Sequence, residues 1–123
     1  VYKRQVSLHL PVNADTAGFA DAAFFAKMKQ GAIFINTARG ELVENTALYN
    51  ALCSGRLSMA GLDVIAPEPV TADNLLLKAE LADKLLFSPH IGGLSSLTVK
   101  KLYSGIWENI QHIQNSEPPV HSI

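Results

Sequence analysis

With 123 residues, 48% of them apolar and 17% charged, and a formal net charge of -1, the chain can bury a core and does not have the composition of a disordered segment. It has no basic cluster, which argues against nucleic acid or an anionic membrane as partner. It also has no apolar run of membrane-span length and no signal-peptide pattern, so a soluble cytoplasmic domain is expected. The single cysteine, Cys53, excludes an internal disulfide and suits a reducing compartment.

Val6 to Leu10 is β-leaning and stops at Pro11, which predicts a strand followed by a turn. A polar loop covers Asn13 to Gly18. Asp21 is a candidate cap for a helix running to about Lys29, with Gly31 at its end. Ala32 to Asn36 is a short apolar run without alternation, the pattern of a strand buried on both faces. A helix is predicted over Thr46 to Ser54, with Ala47, Leu48, Ala51 and Leu52 on one face and Gly55 at its end. Cys53 falls in this helix, where buried packing is the expectation.

Met59 to Val64 reads as a further strand, after which Pro67 and Pro69 block an immediate helix. One or two helical turns are predicted over Leu75 to Leu81, and a fourth strand over Leu85 to Ser88, stopped by Pro89. Val99, Leu102, Ile106, Ile110 and Ile113 recur at steps of three and four, the signature of a long amphipathic helix over about 95–115, followed by a tail over 116–123. There are no internal repeats and no low-complexity segments.

Strands and helices alternate, so the fold class is α/β: a parallel sheet of about four strands with flanking helices and right-handed crossovers. The arrangement resembles one half of a larger fold, since a doubly wound dinucleotide-binding domain has two such halves. The other half would carry the phosphate loop, and nothing in the chain matches G-x-G-x-x-G followed by an acidic residue. Gly92-Gly93 follows a strand but lacks that spacing.

Three predicted strand ends each deliver a polar residue: Arg39 after the second, Glu68 after the third and His90 after the fourth, with Asp63 nearer the end of the third. In a parallel sheet these ends share one edge, outside which ligands bind. A guanidinium matches a carboxylate and polarises a carbonyl, while an imidazole exchanges protons near neutral pH. A carboxylate beside the imidazole orients it. Given a hydride carrier, the set would interconvert a 2-oxo acid and a 2-hydroxy acid.

Each residue also has a plainer reading. Arg39 could be a solvated loop residue, His90 a core histidine satisfied by backbone, Glu68 a solvent-facing loop acid, and Asp63 the cap of a turn. His9 could point into solvent. His112, on a polar helix face, and His121, in the tail, are assigned no role. No His, Cys or carboxylate cluster has the spacing of metal ligands.

Asn36-Thr37-Ala38-Arg39-Gly40, then Gly61-Leu62-Asp63-Val64 with Glu68-Pro69, then Ser88-Pro89-His90-Ile91-Gly92-Gly93 resemble the D-isomer-specific 2-hydroxyacid dehydrogenase family in order and spacing, from about Val6 to Pro119. The resemblance implies Arg39 as the substrate-binding arginine, His90 as general acid/base and Glu68 as its carboxylate partner. It implies His9, Leu10, Thr16, Thr37, Ala38, Arg39, Asp63, His90 and Gly92 as the residues facing the cofactor, with Asp63 meeting the nicotinamide carboxamide. Glu68 argues against the formate dehydrogenase branch, which typically carries Gln there. Glu41 stands where the family often has Gly, and Glu44 where it often has an Asp cap; both bear on local stability more than on chemistry.

The family resemblance further implies an oxidoreductase using NAD or NADP, a small D-2-hydroxy or 2-oxo acid (phosphoglycerate, glyoxylate, hydroxypyruvate or lactate type), and a homodimer. Residues 1–123 are then expected to be a single partial domain, the C-terminal part of the cofactor domain, inert by itself. The strand at Val6 to Leu10 would pair with a strand of the other half, or else invite a second copy along that edge. The alternatives are a dehydrogenase-like interaction or regulatory module, and a stand-alone α/β domain whose polar strand ends bind an anion.

Overall fold

A computed structural model describes residues 3–120; His121 lies outside them. The chain divides between His90 and Ile91 into two compact units. The first holds four strands, β1 (Gln5–Leu8), β2 (Ala32–Asn36), β3 (Leu57–Leu62) and β4 (Leu85–Phe87), and two helices, α1 (Ala22–Lys27) and α2 (Asn45–Cys53). All neighbouring strands are parallel, in the order β1-β2-β3-β4, so β1 and β4 are the two edges of the described sheet.

Local chemistry sets the element ends. The Asp21 carboxylate accepts the Phe24 amide at 2.7 Å and opens α1. Glu44, at the corresponding position of α2, makes no side-chain cap bond. Gly31 and Gly55 both adopt left-handed backbone, φ +73°, where a side chain would be strained. Gly31 lies beyond the end of α1, which closes at Met28, and turns the chain into β2. The predicted helical turns near Leu75 are two 3-10 turns, Leu75–Leu77 and Ala79–Leu81.

The core lies on one face of the sheet. Phe34 of β2 is fully buried and meets Phe25 of α1 edge to face, with ring centroids 5.1 Å apart. Burying a ring of this size is worth about 2–3 kcal/mol. Ala47, Leu48, Ala51 and Leu52 of α2 are buried on the same side, as their spacing predicts.

Two expectations are corrected. β2 is not buried on both faces: its exposure alternates, and Ile33 is 36% exposed. With α1 and α2 both covering the face of Ala32 and Phe34, the face of Ile33, Met59 and Leu86 stays open within this unit. Cys53 is exposed rather than buried, because it stands outside the 47-48-51-52 stripe that α2 turns to the sheet.

The second unit contains α3 (Ser96–Gln114), capped by the Ser95 hydroxyl, which accepts the Thr98 amide at 3.0 Å. His112 bonds to the carbonyl of Pro118 at 3.0 Å and lies 3.4 Å from Glu117, closing the end of the helix. No helix among the described residues is long and apolar enough to cross a membrane.

Replacing Asp21 by Ala removes the α1 cap and is expected to cost about 1 kcal/mol, read as a lower urea midpoint with an unchanged slope.

Candidate functional site

The sheet's hydrogen bonding continues past its last paired residues and fixes where the polar strand ends sit. The Asp63 amide donates to the Asn36 carbonyl at 3.0 Å, the Ser88 amide to Leu62 at 2.9 Å, and the His90 amide to Asp63 at 2.8 Å. The three segments that follow β2, β3 and β4 therefore leave from one common edge.

His90 and Glu68 meet there. Imidazole Nδ1 lies 2.9 Å from Glu68 Oε2, and the two side chains are 48% and 44% exposed. A pair so open to water adds little to stability; what the contact does is orient the ring. His90 holds left-handed backbone, φ +54°, uncommon for a residue with a side chain. Asp63, Glu68, Pro69, Val70, Phe87, Pro89 and His90 line a pocket of about 320 Å³. Asp63 is 5% exposed, and its Oδ1 accepts the Ser88 hydroxyl at 2.6 Å.

Arg39 lies in a neighbouring cleft of about 580 Å³ with His9, Leu10, Pro11, Val12, Thr37 and Ala38. Its Nη1 donates to the Ala38 carbonyl at 2.7 Å, so the guanidinium is held by its own loop rather than by Glu68. The Ser7 hydroxyl and His9 Nε2 are 2.9 Å apart. A third depression, of about 240 Å³, includes Thr37 from the Arg39 cleft and Asp63 from the His90 pocket, so the three hollows adjoin along the edge.

Thr16 is placed differently from the rest of the predicted set. Its hydroxyl donates to the Pro11 carbonyl at 2.7 Å and accepts the Asn13 amide at 2.9 Å, bracing the turn behind the cleft. Gly92 belongs to the second unit, between His90 and α3.

Four residues to which the sequence reading gave no role, two of them (Asn36 and Ser88) inside the quoted motifs, hold this edge together. The fully buried Asn36 bonds to Ala38 and Arg39, and Ser88 bonds to Asp63. Asn45 and Asn74 both donate to the Ala66 carbonyl, at 2.6 and 3.4 Å, two residues before Glu68. A polar residue closing an apolar strand was a visible signal for Asn36. Nothing in the spacing connects 45 and 74 to 66.

Gly40 lets the Arg39 loop lie against the segment leading to Glu68. A Cβ there would fall 2.4 Å from the Ala66 nitrogen and 2.7 Å from the Ile65 carbonyl carbon, both backbone atoms.

Parallel strands followed by loops whose charged residues line adjoining hollows define a Rossmann-like α/β protein, with its ligand edge at the carboxyl ends. More particularly, the chain belongs to the D-isomer-specific 2-hydroxyacid dehydrogenases: residues 3–92 match the family's NAD-binding domain. The glycerate dehydrogenase of Methylorubrum extorquens is 37% identical over 113 residues, 92% of this chain and 36% of the relative. The D-mandelate dehydrogenase of Rhodotorula graminis superposes with a TM-score of 0.84 at 34% identity, over 95% of this chain and 33% of that one. A family member from Xanthobacter autotrophicus, solved with NADPH and MES, gives 0.79 at 33% identity, over 98% of this chain and 48% of that one. The chain thus spans about a third of the length of the curated relatives it matches.

Replacing Gly40 by Ala should force the two loops apart, at a cost of about 1–3 kcal/mol, the usual scale for overpacking. Thermal melts of the variant, with backbone amide shifts displaced at both 38–40 and 65–68, would check this.

Proposed function

We propose that the chain supplies the catalytic edge of an NAD(P)-dependent oxidoreductase that interconverts a small D-2-hydroxy acid and its 2-oxo acid, in the cytoplasm and as a homodimer. The observation that carries the reading is the His90–Glu68 contact at the carboxyl edge of a parallel sheet, in a member of this family.

The donor set fits the nicotinamide end of such a cofactor. Asp63 offers a buried carboxylate, an acceptor suited to a carboxamide N–H, and His9, Leu10, Thr37 and Ala38 wall the adjoining cleft. When bound, the cofactor supplies or accepts the hydride at C4 of its nicotinamide ring. Arg39 binds the substrate carboxylate through its planar fork and polarises the neighbouring C2 carbonyl. His90 exchanges the proton of the C2 hydroxyl through Nε2, leaving Nδ1 to Glu68, which holds the ring in place and stabilises the imidazolium.

Replacing Arg39 by Ala in the intact enzyme should raise KM for the 2-oxo acid and lower kcat, together costing roughly 10² to 10⁴ in kcat/KM, the scale of two charge-assisted hydrogen bonds. Replacing His90 by Ala should act chiefly on kcat, by roughly 10² to 10⁴, the usual contribution of a general acid/base. Steady-state kinetics with glyoxylate and hydroxypyruvate test both, and unchanged constants in either variant refute the role given to that residue. The 123 residues by themselves are expected to be inert, so turnover by them would overturn the architecture assumed.

The outer edge of β1 supports a further association: an edge strand presents unpaired backbone groups. The 123-residue chain by itself should sediment as a dimer or larger species, and a monodisperse monomer would count against this.

A further inference from the structure

We propose that Asn36 is the positioning residue for Arg39, an assignment that rests on the substrate-binding role given to that arginine. Asn36 closes β2, and its side chain turns into the core side of the sheet, where the residue is fully buried. A carboxamide has one acceptor oxygen and one donor nitrogen, and here each serves the loop that carries the arginine. Oδ1 accepts the Ala38 amide at 3.0 Å, and Nδ2 donates to the Arg39 carbonyl at 2.7 Å.

Those two backbone groups belong to different peptide planes, one on either side of the plane that joins Ala38 to Arg39. Pinning both neighbours fixes the plane between them, whose carbonyl, that of Ala38, receives Arg39 Nη1 at 2.7 Å. Two hydrogen bonds from a strand end thus hold the outer peptide planes, and a third ties the exposed guanidinium to the carbonyl of the plane between them. A long side chain on an exposed loop would otherwise sample many rotamers, and ordering it at binding would weaken substrate affinity. Asn36 meets this cost in the fold, before substrate arrives. Its own strand is anchored beside it, because the Asn36 carbonyl accepts the Asp63 amide.

The test is a double-mutant cycle in the intact enzyme, combined with nitrogen NMR of the arginine side chains in the 123-residue chain. Asn36→Ala should raise KM for a 2-oxo acid roughly tenfold with a smaller change in kcat, and should have no further effect once Arg39 is already Ala, the mark of two residues acting as one. An additive loss in the double variant would overturn the inference and leave only a structural role. The NMR readout needs no activity. The Arg39 Nε–Hε signal should be distinct in the parent and move to the averaged position of a free guanidinium in Asn36→Ala, while core amide shifts stay put. An unmoved Arg39 signal overturns the inference even if the enzyme is active. An enzyme that reduces no 2-oxo acid, with the signal moving as expected, refutes the functional reading instead. Asn36→Ser, whose hydroxyl keeps at most one of the two bonds, provides the same comparison if the alanine variant does not fold.

Discussion

The hydrogen bonds that run past the last residues of β2, β3 and β4 decide the geometry of the candidate site. A parallel ladder spaces its strands by slightly under 5 Å, and the bonds from Asp63 to Asn36 and from His90 to Asp63 carry that spacing on into the loops. Asp63 is the hub: its amide binds one neighbour and its carbonyl another, while its carboxylate takes the Ser88 hydroxyl. Residues far apart in sequence thereby begin their loops from fixed points on one line.

From that line the loops are held in two ways. Where the chain must turn sharply, asparagines satisfy backbone groups that the ladder leaves behind: Asn36 at the Arg39 turn, Asn45 and Asn74 at the Ala66 carbonyl. Where two loops must touch, a side chain is omitted, and Gly40 lets one backbone rest on another. Buried amides that lose such partners are costly, so these residues hold shape as well as stability. The groups proposed to carry the chemistry, in contrast, are open to solvent. Arg39, Glu68 and His90 are exposed, and His90 sits in strained backbone. Rigid support beneath solvent-facing groups is the arrangement that the proposed binding of a small acid requires.

The long helix of the second unit was legible from apolar residues at three- and four-residue steps, and it spans Ser96–Gln114. Its apolar residues are all exposed in the described chain, among them Leu102 at 60% and Ile113 at 64%. Periodicity reports which residues share a face of a helix; it carries no information about what that face meets. The same limit explains β2, where an unbroken apolar run was expected to be covered on both sides and is covered on one.

Local sequence determined the elements, their order and the identity of the chemical groups. Apolar periodicity, Asp21 as a cap and the left-handed glycines are short-range effects, written within a few residues of where they act. The three motifs that contain Arg39, Glu68 and His90 were likewise readable, because strand ends in a parallel sheet must share an edge. Only the tertiary structure decided which groups touch. It tied Arg39 back to Ala38, placed Thr16 in a brace on the Pro11 carbonyl, turned Cys53 outward, and recruited Asn45 and Asn74 to a carbonyl remote from both in sequence, whereas the His90–Glu68 contact was one the family resemblance implied. Those contacts depend on loop conformation and on the register between strands, which arise from packing the whole unit and from no single stretch of it.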